Sequence, residues 1–412
     1  MRNIYELLKE RGYIATVEEQ GIKKFQVTDE EAVSNLLTQG TTVYEGFDPS
    51  ADSLHLGHFM SIMALHHMQE AGNRIIFILG GGTGRVGDPS GKNKARSLLT
   101  KEMVIKNATA IKNQVQSMGL LDLDNPKKAL MIDNSDWLAK ALFLDDYMMN
   151  VARYFSVNEL VKMETFAKRL SEGAPLSLLE FLYATMQSWD YLELYEKYDC
   201  RLQVGGSDQW GNILQGVSLI KDHKGNKANA HALTFPLLTT ANGEKMGKTV
   251  SGPLWLDPKK TSPFDFYQYI EKIPDDMVRK LFGLYTFIPM EEIDKIMAGN
   301  PRDAQKKLAF EVTKVVHGEE EAKNASKQST MVFTGSSENL GSIPEFKLSN
   351  SMRLDEILVT SGSLVSNSEV ARRVKGGAVK IDDQKATDPK QQINKPVLIK
   401  YGKTNFLKVV SS

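Results

Sequence analysis

The stretch Thr42-Val43-Tyr44-Glu45-Gly46-Phe47-Asp48-Pro49-Ser50-Ala51-Asp52-Ser53-Leu54-His55-Leu56-Gly57-His58, followed later by Arg74-Ile75-Ile76-Phe77-Ile78-Leu79-Gly80, decides the architecture. Thr42–Phe47 reads as a strand that ends in a loop at Asp48-Pro49-Ser50. A helical pattern then runs from about Ser53 to Glu70 and stops at Ala71-Gly72-Asn73. Ile75–Leu79, bounded by Arg74 and Gly80, suits a strand buried on both faces of a parallel sheet. Strand, helix and strand at this spacing make a βαβ unit, so the first half of the chain reads as α/β with a nucleotide-binding topology.

Working outward, residues 1–40 read as helical at both ends, and a helix near 101–118 precedes a strand near Ala129–Ile132. A mostly helical stretch covers 137–170, and a long helix lies at about 177–197. A short strand Arg201–Val204, a helix from Asn212 and a strand His231–Leu238 follow. From Ser262-Pro263, a cap with a first-turn proline, the pattern is all-helical to about 330. Gly335-Ser336-Ser337, Gly341-Ser342 and Pro344 read as a linker. The expected division is a Rossmann-like parallel-sheet domain over 1–250 with a helical insertion at about 120–165, an all-helical domain over 251–333, a linker over 334–346 and a small α+β domain over 347–412.

Of 412 residues, 41% are apolar and 25% charged, which excludes collagen-like, coiled-coil and wholly disordered chains. Ile75–Leu79 is the longest clean apolar stretch, far short of the roughly 20 residues a membrane helix needs. The first ten residues carry acids inside a short apolar pattern and do not read as a signal or transit peptide. The single cysteine, Cys200, can form neither an intramolecular disulfide nor a zinc cluster. A soluble cytoplasmic protein without a membrane partner is expected. The net charge is zero but unevenly spread. Residues 347–412 hold twelve Lys and Arg against six acids (+6), and the remainder holds 39 against 45 (−6). A basic piece on an acidic body is either a module for a polyanion or a solvated basic surface.

The glycine loop Gly80-Gly81-Gly82-Thr83-Gly84-Arg85-Val86-Gly87 contains a literal G-x-G-x-x-G, but Asp88-Pro89-Ser90-Gly91 interrupts the helix a dinucleotide site needs, and Asn107 stands where an acid is required. A phosphate loop fails as well, since Val86 and Asn93 occupy positions that need Gly and Ser or Thr. The loop is either a plain turn or a backbone able to approach a ligand closely. His55 and His58 share a face in the first turn of the first helix, where helix amides favour anions. With no third ligand nearby they make a weak metal site, and alone the pair is more often structural. Lys245-Met246-Gly247-Lys248-Thr249 places two ammonium groups on a glycine-containing loop, suited to a polyphosphate or simply solvated.

Together, H-x-G-H after the first strand and K-M-x-K-T about 190 residues later resemble the paired signatures of class I aminoacyl-tRNA synthetases. Tyr183, Gln187 and Asp190 lie at i, i+4 and i+7 on one helical face, a polar line among Leu182, Ala184, Met186 and Trp189. That stripe, the segment 44–58, Gly87-Asp88-Pro89-Ser90-Gly91-Lys92 and Gly205-Gly206-Ser207-Asp208-Gln209-Trp210-Gly211-Asn212 resemble the bacterial tyrosine branch of that family, with similarity over the whole chain.

The resemblance implies that Tyr44 and Asp190 bind the phenolic hydroxyl of L-tyrosine. It implies that Tyr183, Gln187 and Asp88 hold its ammonium group, with Gln209 near the carboxylate. Asp208 and Gly206 would hold the ribose of ATP, and Asp48 would line the nucleotide site. Ser50 and His55 would contact pyrophosphate, Gly57 and His58 would support the nucleotide, and Lys92, Arg96, Lys245, Lys248 and Thr249 would close on it. Mg²⁺ would come with ATP, not in a protein-built metal site. Glu45 departs from the pattern, standing near the ribose where other members have a small residue. The family also implies a homodimer through the insertion near 120–165, an anticodon-arm-binding role for 251–333 and tRNA as partner.

Residues 352–412 resemble a small RNA-binding domain shared with a ribosomal small-subunit protein, with Arg353, Arg372, Arg373 and Lys375 as tRNA-binding candidates. Charge asymmetry and motif agree there. A tryptophan-specific sister enzyme, a nucleotidyltransferase of another pathway and a non-catalytic RNA-binding or splicing protein on the same scaffold are the competing readings.

Overall fold

The computed structural model describes residues 3–90, 98–239, 246–249, 252–334, 345–348, 350–382, 384–402 and 406–411. The chain divides into two compact units, Met1–Ser326 and Lys327–Ser412.

In the first unit five strands, β1 (Thr42–Phe47), β2 (Arg74–Leu79), β3 (Ala129–Asp133), β4 (Cys200–Gly206) and β5 (His231–Phe235), form one sheet in the order β3-β2-β1-β4-β5. Every pairing is parallel. Strand alternation sorts the core into two layers. Val43, Phe47, Ile75, Phe77, Leu202 and Val204 pack with Phe59, Ile62 and Met63 of α1 (Leu56–Glu70) and with Ile111 and Val115 of α2 (Lys101–Met118). Tyr44, Ile76 and Ile78 instead pack with Tyr191 and Leu194 of α3 (Tyr183–Tyr198) and Leu219 and Ile220 of α4 (Trp210–Lys224). With helices on both faces and the order reversing between β1 and β4, the sheet is doubly wound, and a crevice opens beyond the carboxyl ends of those two strands.

The helical region is α5 (Pro263–Glu271), α6 (Asp275–Tyr285), α7 (Met290–Met297), α8 (Pro301–His317) and α9 (Glu319–Thr334). It shares a core with the sheet domain: Phe266, Leu281, Tyr285 and Val312 belong to the same cluster as Leu8 and Phe59. The stretch expected as a separate domain over 251–333 is therefore drawn into the first unit as far as Ser326. Arg11 fastens the N-terminal helix to it, donating from Nε to Gly283 O at 2.8 Å and from Nη1 to Ile288 O at 3.0 Å. One local expectation changes: the helix at 177–197 breaks at Leu182. Residues 16–25, between the two expected helices, form an antiparallel hairpin, and the mostly helical stretch at 137–170 is built of short helices and turns.

The second unit carries β6 (Glu345–Leu348), α10 (Leu354–Thr360), α11 (Asn367–Lys375), β7 (Val379–Ile381), β8 (Gln384–Lys385), β9 (Val397–Tyr401) and β10 (Phe406–Ser411). The sheet order is β6-β10-β9-β7-β8, and Val379, Ile399 and Leu407 pack against Leu354, Ile357 and Val370 of the two helices. Most of the expected linker, 335–344, lies outside the described residues. Among the described residues no helix is long and apolar enough to cross a membrane.

The glycine loop after β2 is a packing device. A Cβ on Gly80 would sit 2.5 Å from Thr83 Oγ1 and closer still to Asp48, while one on Gly81 would enter the Asp133 carboxylate and one on Gly84 would meet Pro49 at 2.9 Å. The close approach is to the protein's own side chains. Gly80→Ala should therefore destabilise the protein by about 1–3 kcal/mol, as overpacked cores do. Denaturant unfolding measures this, and an unchanged midpoint would mean that the Asp48 end of β1 can yield.

Candidate functional site

A cleft of about 360 Å³ lies beyond the carboxyl ends of β1 and β4. It is lined by every residue expected to hold amino acid or nucleotide outside the two lysine-bearing loops: Tyr44, Asp88, Tyr183, Gln187, Asp190 and Gln209, together with Asp48, Ser50, His55, Gly57, His58, Gly206 and Asp208.

At its inner end Asp190, on α3, is 4% exposed and accepts from Asn134 Nδ2 at 2.9 Å and Trp137 Nε1 at 2.8 Å. Burial outweighs these donors and pushes its carboxyl up to about 8. Tyr44, on β1, is 1% exposed, and its hydroxyl has no hydrogen-bond partner among the described residues. A buried hydroxyl left unpaired is costly, and burial plus the nearby Asp190 charge holds this phenol well above its ordinary range. Asp48 follows β1 and accepts from Tyr183 Oη at 2.8 Å and Thr83 Oγ1 at 2.7 Å. Asn134 Nδ2 also reaches Thr83 Oγ1 at 3.0 Å. One chain of hydrogen bonds thus runs from Trp137 through Asp190, Asn134, Thr83 and Asp48 to Tyr183.

Along the wall, Gln209 Nε2 donates to Asp88 Oδ2 at 2.7 Å, and Ser90 N donates to Asp88 Oδ1 at 2.9 Å. Asn212 Nδ2 joins Gln209 Oε1 at 3.1 Å and Gln187 Oε1 at 3.2 Å. Thr83, Asn134, Trp137 and Asn212 were not singled out as site residues from sequence. Asn212 sits at the end of the quoted segment 205–212, and Asn134 follows a strand as Asp48 does, so position after a strand was the available signal.

At the mouth His55 caps α1: Gly57 N donates to His55 Nδ1 at 3.1 Å, and His55 N donates to His58 Nδ1 at 3.4 Å. With both Nδ1 atoms accepting, the rings carry their proton on Nε2. The imidazoles stack with centroids 3.7 Å apart, and burial beside His55 holds His58 well below its usual range, hence neutral. His58 offers an N–H donor, not charge. The first amides of α1 are already used, since Leu56 N donates to Leu254 O at 3.0 Å and His58 N to His55 O at 2.9 Å. An anion here would meet imidazoles and the helix dipole instead of free amides.

The two signatures are joined through the backbone. Leu256 N donates to Leu54 O at 2.9 Å, Leu254 N to Gly247 O at 2.6 Å and Gly247 N to Tyr269 Oη at 2.9 Å. Gly247 takes φ +83°, a conformation that favours glycine. The backbone of Lys248–Thr249 pairs antiparallel with Gly252–Pro253, while Lys92, Arg96 and Lys245 lie outside the described residues.

In the second unit Arg353 pairs with Asp355 Oδ2 at 2.5 Å, and Arg373 pairs with Glu369 Oε1 at 2.6 Å and donates to Tyr401 O at 3.0 Å. Both side chains nonetheless stay about one third exposed, 32% for Arg353 and 33% for Arg373. Arg372 and Lys375 are exposed on α11.

Glu45 points to the α1 face of the sheet, opposite to its neighbour Tyr44. It is 6% exposed, Oε2 has no partner among the described residues, and burial, only partly offset by a hydrogen bond with Ser61, pushes it up to about 8. Glu45 and Asp190 both hold protons in the folded state that the unfolded chain has released above about pH 4 to 4.5. Stability must then fall as pH rises from there through about 8. Glu45→Gln should match the parent near pH 4, exceed it increasingly toward pH 8.5 and flatten the pH dependence, as denaturant titrations at several pH values would measure. Parallel curves would place the charge of Glu45 in water.

Residues 37–334 match the family described as tRNA synthetases class I (W and Y), and residues 352–395 match the S4 domain. A tyrosine–tRNA ligase of Clostridium botulinum is 42% identical over the full length of both chains, and one of Clostridium tetani is 41% identical over 99% of each. Among solved structures, a C-terminally truncated Aspergillus nidulans mitochondrial tyrosyl-tRNA synthetase superposes with TM-score 0.69 at 30% identity, covering 81% of this chain and 95% of that one. A tryptophanyl-tRNA synthetase from Encephalitozoon cuniculi reaches TM-score 0.56 at 12% identity over 79% of this chain and 89% of that one, so the fold alone does not separate the two specificities. A doubly wound sheet with both signatures at its switch point, matched by the family over most of its length, makes this chain a member of the class I tRNA synthetases of the tryptophan and tyrosine group, carrying a C-terminal S4 domain.

Proposed function

We propose that the chain is a tyrosine–tRNA ligase, which activates L-tyrosine with ATP to tyrosyl-adenylate and pyrophosphate and then transfers tyrosine to the 3′ end of its tRNA. Its full-length relatives carry that name. The observation that carries the choice of amino acid is the inner end of the cleft, where the unpartnered Tyr44 hydroxyl lies near the Asp190 carboxyl. A phenolic hydroxyl both donates and accepts, so it can donate to Asp190 and accept from Tyr44 at once. An indole N–H only donates and leaves one of the two unsatisfied. No observation favours the tryptophan-specific reading or the non-catalytic one.

Tyr183, Gln187 and Asp88 would hold the substrate ammonium, with Gln209, fixed on Asp88 and Asn212, beside the carboxylate. That carboxylate attacks the α-phosphorus of ATP in line as pyrophosphate leaves, with no covalent enzyme intermediate, so catalysis is positioning and charge stabilisation. Asp208 and Gly206 would take the ribose. Ser50, the Nε2–H groups of His55 and His58, and the cations Lys92, Arg96, Lys245 and Lys248 with Thr249 would face the phosphates. ATP would enter as its Mg²⁺ complex. Among the described residues no group of three or more His, Cys, Asp or Glu could hold a metal ion. Arg372 and Lys375 would contact tRNA, and the site of action would be the cytoplasm.

A homodimer is proposed on the insertion, where Leu142, Phe143, Leu144, Met149 and Val157 are exposed. Such clustered apolar exposure marks an interface. Sedimentation should give about twice the 46.0 kDa chain mass, and Leu142→Asp with Phe143→Asp should halve it. A monomeric, active parent protein would end the proposal.

Tyrosine-dependent exchange of pyrophosphate into ATP tests the activity. Tyr44→Phe should lower kcat/KM for tyrosine about five- to thirtyfold, the loss of one buried hydrogen bond of about 1–2 kcal/mol. It should change phenylalanine activation far less, because a site built around a hydroxyl rejects the analogue lacking it. Exchange driven by tryptophan alone, or by no amino acid, would overturn the reading.

A further inference from the structure

The second unit buries one face of its sheet against α10 and α11 and leaves the other without helices among the described residues. On that face the register sets like charges side by side. Lys385 of β8 stands opposite Lys380 of β7, Lys380 opposite Lys400 of β9, and Lys400 opposite Phe406 of β10. Residues directly opposite share a face, so three lysines and a phenylalanine form one row across four strands. All four are partly or fully exposed, and among the described residues none of the three lysines has a carboxylate partner. By contrast Lys408, on the same face, is paired with Glu345 at 2.7 Å. Lys400 Nζ lies 5.2 Å from the Phe406 ring centroid. At the other end Lys385 Nζ lies 3.6 Å from where a Cβ on Gly377 would be, so the row runs on to the end of α11, near Lys375.

Like charges directly opposite on a sheet repel and destabilise it. Three in register, with no acid interleaved, form a surface whose complement is a polyanion. Strand spacing puts the row across about 10 Å, the scale of a short run of backbone phosphates, and the flanking ring offers a stacking platform. We propose that the helix-free face of this sheet is a second RNA-contact surface, on which Lys385, Lys380 and Lys400 grip tRNA backbone phosphates and Phe406 stacks on a base, in continuity with the basic end of α11. The proposal rests on the reading that this unit grips tRNA.

The test uses the full chain and a transcript of the tyrosine tRNA, with affinity measured across a potassium chloride series. Replacing Lys380, Lys385 and Lys400 together by Gln should weaken binding at least tenfold at 0.1 M salt. The slope of log K against log salt should fall by about 2 to 3, since each lost phosphate contact removes about 0.7–0.9. The same three positions changed to Arg should bind as the parent does, and Phe406→Leu should weaken binding with the slope unchanged. Relief of repulsion means the Gln variant should melt no lower than the parent. If it misfolds, the Arg variant and Phe406→Leu still decide the matter, because loss of binding in the Arg variant or full binding in Phe406→Leu contradicts the proposal. Unchanged affinity and slope in a folded Gln variant would overturn it, provided a chain lacking residues 347–412 binds tRNA poorly. If that truncated chain binds as well as the parent, it is the reading of the whole unit that fails. Tighter binding by the Gln variant would also overturn it, assigning the row to an acidic surface of the protein itself.

Discussion

The head of the sheet depends on the carboxylate of Asp48. One oxygen takes Tyr183 Oη and the other Thr83 Oγ1, so a single side chain at the end of β1 holds α3 on one side and the loop after β2 on the other. Thr83 passes the constraint to Asn134, at the end of β3, whose Oδ1 accepts from Gly82 N at 2.8 Å and whose Nδ2 reaches Asp190. Three adjacent strand ends and α3 are thereby fixed by one polar network, and the glycines of the loop follow from it. Gly80 lacks a side chain because Asp48 and Thr83 occupy that space. A run that resembles a phosphate cradle is the clearance needed to bring two strand ends within hydrogen-bonding distance.

Networks of this kind rigidify a site when every member is satisfied and weaken the protein where one is not. Asp48 and Asn134 are hydrogen-bonded through both of their side-chain polar atoms, while Asp190 is held by one donor on each oxygen and can accept another. Tyr44 Oη, Glu45 Oε2 and Gln203 Oε1, all lining the same cleft, are buried without partners among the described residues. The contrast separates positioning from recognition. Groups that must not move are bonded to one another, and groups left open await the ligand. A ligand that supplies those hydrogen bonds binds only the folded chain and so stabilises it by mass action.

Much of this was legible in the sequence. The central strand β2 announces itself as a short apolar run between Arg74 and Gly80, the βαβ spacing places β1 before it, and Tyr183, Gln187 and Asp190 fall on one helical face by spacing alone. The hairpin at 16–25 was missed because all but one of its strand residues are exposed, so no alternation marks it. Asn134, Trp137, Thr83 and Asn212 could not be found from spacing, since each owes its role to which strand ends the topology brings together, and a single chain read in order does not contain that adjacency. The same limit hid the lysine row of the second unit. Lys380, Lys385 and Lys400 are scattered in sequence and become neighbours only through the register of three strands. Arg353 and Arg373, tRNA-binding candidates through the resemblance of residues 352–412, also make ion pairs within their own unit.

The deeper regularity is the two-residue period of β1. Consecutive residues of a strand face opposite sides of the sheet, so Tyr44 belongs to the layer of α3 and Asp190, while Glu45 belongs to the layer of α1, Ser61 and the stacked histidines. In the proposed reaction this separates the substrates: the amino acid is recognised on one face and the nucleotide on the other. They can meet only where the strand ends and no longer divides the two sides. That point is Asp48 and the residues after it, which is where Gln209, Asp88 and Ser50 gather from other loops. The reacting atoms need no dedicated catalytic acid or base there, because the chemistry consists of bringing a carboxylate and an α-phosphate into line. The topology of a parallel sheet at its switch point does that by geometry alone.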